Sequence, residues 1–258
     1  MKKKDTHTES VIEIRNLRKS FGTKEVLKDV SLQLRKQENL VVLGKSGTGK
    51  SVLIKCIVRL LKADAGEIEI FGEEVNSLDK TQLDEVRKKI GFLFQSGALY
   101  DSMTVKENLE FPLRRIRKGL SEAEISEKVN EALENVGLSE ALNKMPSELS
   151  GGMRKRISLA RTIIVDPEII LYDEPTTGLD PVTSNEISML INDIQKKYKT
   201  ASIVITHDME CVRTVADRII MLKEGEVYKD GSLSEFEHDT DDYISSFFKG
   251  QNTELNKK

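Results

Sequence analysis

The 258-residue sequence predicts an α/β fold: a mostly parallel sheet with helices on both faces, joined to an antiparallel β ribbon and interrupted by an inserted α-helical subdomain. Three observations predict it. Short, almost uninterrupted apolar runs (Leu40–Leu43, Ile169–Tyr172, Ala201–Thr206) alternate with helical stretches, the pattern of strands buried on both faces. The first of these runs leads through a glycine-rich turn straight into a helix. Residues from about 96 to 165 carry helical spacing and no strand signal.

The elements follow in order. Val11 to Leu17 alternates apolar and polar residues, as a half-exposed strand does, and Ser20-Phe21-Gly22-Thr23 reads as a turn. Val30 to Leu34 alternates again, so the two form a ribbon ahead of the buried strand Leu40–Leu43. The helix after the glycine-rich turn runs to about Leu61. Gly66 to Gly72 is another alternating strand, Asp79 to Lys88 a charged helix, and Ile90 to Phe94 a short buried strand ending at Gln95.

Capping boxes at Thr104-Val105-Lys106-Glu107 and Ser121-Glu122-Ala123-Glu124 open two helices of the insert. In the second, Ile125, Val129, Ala132, Leu133 and Val136 share one face, and Gly137 stops it. Alternation then resumes: helices at Thr183–Lys197 and Met209–Ala216, a strand pair Arg218–Leu222 and Glu226–Tyr228, and a short helix capped at Ser232. The division expected is a core of 11–95 and 166–236, a helical subdomain of 96–165, and a C-terminal helix with a polar tail over 237–258. The helix Asp242–Phe248 either braces a neighbouring subunit or folds back on its own chain.

Composition narrows the function. Net charge is −3 with acids and bases intermixed, so there is no electrostatic footprint for nucleic acid. The basic start Met1-Lys2-Lys3-Lys4-Asp5 lacks the apolar run of a signal peptide. No window approaches the roughly 20 apolar residues of a membrane span, so a cytoplasmic chain is expected, and any membrane work must use a partner. The two cysteines, Cys56 and Cys211, lie far apart and read as buried thiols.

Two motifs carry chemistry on physical grounds. Gly44-Lys45-Ser46-Gly47-Thr48-Gly49-Lys50-Ser51, between a strand and a helix, is the P-loop pattern of a nucleotide-binding site. Its glycines let the backbone approach phosphate, and its amides with those of the helix N-terminus face the anion. Lys50 reaches the β- and γ-phosphates, and Ser51 offers its hydroxyl to Mg²⁺. Asp173-Glu174-Pro175 ends an apolar strand, where ligands of such sheets bind. Asp173 is placed to hold Mg²⁺ and Glu174 to polarise the attacking water.

A third motif reads two ways. Leu149-Ser150-Gly151-Gly152-Met153 opens a helix with Ser150 at the N-cap and Met153, Ile157, Ala160 and Ile164 on one face. Exposed amides there make a second anion site; a capped helix start with a flexible hinge accounts for the same residues equally well.

Gly44–Ser51, Gln95, Leu149–Met153, Ile169–Glu174, Thr177-Gly178-Leu179-Asp180 and His207, in this order, resemble the ATP-binding subunit of an ABC transporter, a P-loop NTPase of RecA-like fold, over about residues 11–236. The resemblance implies ATP and Mg²⁺ as ligands, with Val52 completing the P-loop contacts. It makes Phe21 the aromatic that stacks on adenine and Gln95 a contact to Mg²⁺ that relays to a membrane partner. It places Ser150, Gly151 and Gly152 on the nucleotide of a second copy, Asp180 across the dimer interface, and His207 between the γ-phosphate and Glu174. It further implies a multi-span permease, with the subunit peripheral on the cytoplasmic face of the inner or plasma membrane.

One departure is informative: Met153 stands where most such ATPases have Gln. Leu149–Met153, together with Phe94–Val105, Asn108 and Phe111-Pro112-Leu113, is similar to the Mla-type branch. That branch pairs with a permease carrying an MCE-domain partner and moves phospholipid. Another cargo (amino acid, lipoprotein, drug), a soluble non-transport ATPase or a nucleotide sensor are the rival readings.

Overall fold

The computed structural model describes residues 9–249; Met1–Asp5 and the polar tail from Gln251 lie outside the described residues. The first two strands, β1 (Ser10–Phe21) and β2 (Lys24–Arg35), pair antiparallel about the turn Gly22-Thr23. β4 (Ala65–Ile70) adds to the free edge of β1, and β5 (Glu73–Glu74) adds to β4. This is the ribbon.

The parallel part comprises β3 (Asn39–Leu43), β6 (Ile90–Leu93), β7 (Ile169–Asp173), β8 (Ala201–Ile205) and β9 (Arg218–Lys223). β10 (Glu226–Gly231) returns antiparallel to β9 and joins the ribbon through Glu226 and Asp29. The spatial order is β5-β4-β1-β2-β10-β9-β3-β8-β7-β6. β3 thus sits between β8 and β9, and the loops after β3, β7 and β8 leave the same edge side by side.

Helices cover both faces. α1 (Lys50–Ile57) and α2 (Lys80–Lys88) pack on one apolar core with Leu40 and Val42 of β3. Val41 and Leu43 point the other way, into a core shared with α6 (Pro181–Tyr198), α7 (Met209–Val215), α8 (Leu233–Glu237) and α9 (Asp242–Lys249). That alternation is why the strand is apolar at every position. Residues 96–165 contain helices and turns only: α3 (Val105–Ile116), α4 (Glu122–Asn135) and α5 (Gly151–Ile163) close a third core of their own. Both predicted capping boxes form, each Glu carboxylate accepting from its N-cap amide. α5 belongs to two cores, because Leu159 and Ile163 face the sheet while Ile157 and Ala160 face α3 and α4.

Several boundaries differ from the periodicity: β2 starts at Lys24 rather than Val30 and β10 runs on to Gly231, and three further differences have a local cause. β1 continues past Leu17 to Phe21 through an irregularity at Asn16, whose φ is +50° and whose amide Nδ2 donates to Asp29 at 2.9 Å. The extra residue shifts the side-chain period and hides the strand's second half. α1 stops at Ile57, short of Leu61, because Arg59 turns left-handed and Leu60 N donates back to the carbonyl of Lys55. The Arg59 guanidinium then secures the carbonyls of Val75 and Leu78. α6 begins at Pro181, since Asp180 caps it by accepting from the amides of Val182 and Thr183.

α9 folds back on its own chain. Ile244 and Phe248 are buried in the second core, and the Tyr243 ring lies under Lys223 and Lys45. Cys56 and Cys211 are buried free thiols, pushed up to about 11 and about 12 by burial.

Candidate functional site

The chain passes from β3 into α1 through a loop that only glycine can follow. Gly49 has φ +102°, and a Cβ there would lie 2.7 Å from the Leu27 side chain and 2.9 Å from the carbonyl of Val26. The loop is therefore clamped against the ribbon. Gly49 is also the N-cap of α1 and supplies no side-chain acceptor, so the first amides of the helix keep their donors for another partner.

A cavity of about 880 Å³ opens over this loop. It gathers Phe21, Gly44, Lys45, Ser46, Gly47, Gly49, Lys50, Ser51, Val52, Gln95, Glu174 and His207, twelve residues that the sequence singled out from five separate segments. Thr48 stays in the loop wall, where its hydroxyl donates to the Lys45 carbonyl at 2.9 Å. Phe21 ends β1 and is 48% exposed, so it is no core residue.

Lys50 is buried, and its Nζ donates to the carbonyls of Gly44 at 2.7 Å and Lys45 at 3.1 Å. Burial holds its pKa below the ordinary lysine value, with Glu174 and Asp173 pulling the other way. The Ser51 hydroxyl donates to Asp173 Oδ1 at 3.0 Å, beneath the cavity floor. A serine hydroxyl beside a buried carboxylate is a hard-oxygen donor set that suits Mg²⁺ completed by water and phosphate oxygens. Among the described residues no group of three or more His, Cys, Asp and Glu side chains is placed to hold a metal ion.

Glu174 follows β7 at φ +51°, a left-handed conformation rare for a residue with a side chain. Its carboxylate Oε2 accepts from His207 Nδ1 at 2.8 Å and from the Thr177 hydroxyl at 3.1 Å. His207 hangs in the loop after β8, next to β7, which is how two residues 33 apart in sequence come to touch.

Ser150, Gly151, Gly152 and Asp180 are not brought to this cavity. Ser150 caps α5 by accepting from Met153 N at 3.2 Å. Gly152 lies so close to the start of α6 that a Cβ would meet Thr183 at 2.5 Å. Asp180 accepts from the Thr183 hydroxyl at 2.6 Å, which holds its carboxyl below the usual range. The two helix starts form one exposed ledge.

Three cavity residues and one support escaped the sequence. Lys24 and Val26 line the cavity from β2, and Phe247 lines it from α9. Lys155 of α5 donates to the carbonyls of Gln95 and Glu174. Only the apolar spacing of Ile244, Phe247 and Phe248 hinted that α9 packs inward.

Comparison with known proteins agrees with this geometry. The ABC transporter family model matches residues 27–177. The chain is 40% identical over 263 aligned positions to Protein TRIGALACTOSYLDIACYLGLYCEROL 3, chloroplastic, of Arabidopsis thaliana, covering 95% of this chain and 75% of that one. It is 39% identical to the methionine import ATP-binding protein MetN of Clostridioides difficile, covering 87% and 70%. It superposes with a TM-score of 0.79 and 34% identity on the ATP-binding cassette MJ0796, solved as a dimer in a post-hydrolysis state bound to ADP and Pi, over 86% of this chain and 98% of that one. The chain belongs to the ABC transporter family, as an ATP-binding subunit that hydrolyses ATP.

Proposed function

We propose that the cavity binds ATP with Mg²⁺ and that Glu174 is the general base of hydrolysis. The observation that carries this is the meeting, in one cavity, of the Gly44–Ser51 loop with a carboxylate held by His207 Nδ1 at 2.8 Å. The uncapped amides of α1 and the Lys50 ammonium, now spent on two backbone carbonyls, turn to the β- and γ-phosphates. Ser51 and Asp173, with Gln95, would hold Mg²⁺, which would supply charge neutralisation at the phosphates. Glu174 takes the proton of the attacking water, and His207 fixes the carboxylate's direction. Phe21 stacks on the base.

The exposed ledge of Ser150, Gly151, Gly152 and Asp180 serves a second copy. Two chains facing each other place this ledge on the partner's nucleotide, so that ATP joins the dimer and hydrolysis releases it. A dimeric cassette as structural neighbour supports this arrangement. A multi-span permease is the membrane partner, as membership of the ABC transporter family suggests; no helix among the described residues is long and apolar enough to cross a membrane. The apolar cleft of Phe92, Phe94, Tyr100, Phe111 and Ile116, between β6 and α3, suits one of its helices. The subunit then works peripherally on the cytoplasmic face of the inner or plasma membrane.

For cargo we favour phospholipid, through a permease with an MCE-domain partner, as in Mla-type systems. Support comes from the Leu149–Met153 and Phe94–Val105 segments and from a relative named for a galactolipid. Methionine import proteins, 39% identical, favour an amino acid as the second reading. Pull-down of tagged protein from gently solubilised membranes, with mass spectrometry of proteins and lipids, decides. A permease with an MCE-type protein and phospholipid supports the first; an amino-acid permease supports the second.

A further inference from the structure

α5 holds the cavity from behind. Lys155 is 7% exposed, and its Nζ donates to the carbonyl of Gln95 at 2.5 Å and to that of Glu174 at 3.3 Å. Further along the same helix, the Arg161 guanidinium donates to the carbonyls of Ala98 at 2.7 Å and Gly97 at 3.2 Å. The loop leaving β6 is thus fastened to α5 at two points near its start, and Lys155 also reaches the loop leaving β7. Burying an ammonium is unfavourable unless its donors are used, and here they go to main-chain oxygens of two loops that line the cavity.

Glu174 needs such a hold. At φ +51° its backbone is in a conformation that persists only where the surroundings over-determine it. Its N–H donates to the Ile205 carbonyl at 2.9 Å, which fixes one end of the residue. Its carbonyl accepts from Lys155 and, at 3.4 Å, from Thr177 N, which fixes the other. Burial lowers the Lys155 pKa while Asp173 and Glu174 oppose that shift, as expected of a cation set among main-chain atoms beside two acids.

We propose that Lys155 is a positioning residue for ATP hydrolysis, whose ammonium holds the main chain of Glu174 and Gln95 so that the Glu174 carboxylate points at the attacking water. This rests on the reading of Glu174 as general base. Lys155 also lies on the helix whose start, Ser150, forms the ledge, so the ledge and the base are tied to one rigid element.

The test compares steady-state phosphate release with the affinity for a fluorescent ATP analogue, using the full chain. Lys155→Met keeps the apolar stem and removes the donor. Its kcat should fall roughly 10- to 100-fold, the effect of displacing a reacting group by about an ångström, while nucleotide affinity stays at the wild-type value. A wild-type kcat, or a parallel loss of kcat and affinity, overturns the proposal. Should Lys155→Met not fold, Lys155→Gln carries the test, because its amide is one atom shorter and reaches one carbonyl at most. It should lower kcat with affinity unchanged, and a wild-type kcat in it overturns the proposal. Glu174→Gln assayed alongside separates the two claims. Turnover in that variant removes the base itself; no turnover there, with normal turnover in Lys155→Met, removes only the role of Lys155.

Discussion

α1 is capped by Gly49 and α5 begins with Gly151-Gly152 behind Ser150, and both leave amide donors free at a helix N-terminus, yet they are built for different situations. α1 has no side-chain cap, a lysine buried beneath it, and a carboxylate, an imidazole and an aromatic ring gathered around it by the sheet. α5 caps itself through Ser150, stands exposed, and is backed by the start of α6. The first is a site that needs only a ligand. The second has an anion-binding geometry with no further group of its own chain to complete it, and makes sense once another body supplies the phosphate. On the proposed function, the two helix starts are unlike halves of one shared site.

The largest effect is expected from blocking the exposed half. Ser150→Arg should abolish hydrolysis, because a long cationic side chain blocks the ledge, while ATP binding to the monomer stays unchanged. Phosphate release and nucleotide titration measure the two, and an equal loss of binding would join the halves and end the shared-site reading. Next comes Glu174→Gln, which leaves the amide able to accept from His207 but unable to take a proton. Hydrolysis should fall by about 10²- to 10⁴-fold, with ATP binding kept and the dimer trapped in gel filtration. Near-normal turnover would take Glu174 out of the chemistry. Lys50→Ala should cost about 1.5–3 kcal/mol of nucleotide affinity, roughly 10- to 150-fold, for one charge-assisted contact. An unchanged affinity would mean that Lys50 stays on the Gly44 and Lys45 carbonyls when nucleotide is bound.

What the sequence shows of these two halves follows from how local their causes are. The Gly44–Ser51 loop, the capping boxes and the Ser150 cap are settled by residues within a few positions of each other, so they read directly. The proximity of Glu174 to His207 is legible only through the family resemblance, because a histidine after an apolar strand does not by itself say which neighbouring loop it meets. Lys155 is not legible at all. It sits between Arg154 and Arg156 in what looks like a solvated basic run, and only its place on the face of Ser158, Leu159 and Thr162 sets it inward. Its partners are carbonyls 60 and 19 residues away, which no periodicity reports. The second half of β1 was hidden for the opposite reason. The cause is local, but the irregularity at Asn16 erases the alternation by which strands are recognised.

Phe21 gives the smallest effect and the finest test of the completed half. The residue is 48% exposed at the cavity mouth, with Lys19 Nζ 5.4 Å from the ring centroid, so folding gains little from it. Removing a ring that packs on little should leave thermal stability close to wild type. Removing a ring that stacks on a bound base should weaken binding by about 1 kcal/mol, roughly fivefold. Phe21→Ala should therefore lower ATP affinity without moving Tm, and Phe21→Tyr should restore it. Stacking uses the face that every base presents, so the loss should be the same for ATP and GTP. A loss confined to ATP would show that the groups selecting adenine lie at Phe21 itself. A fall in Tm with affinity unchanged would return Phe21 to the ribbon's packing and leave the base without a platform in this chain.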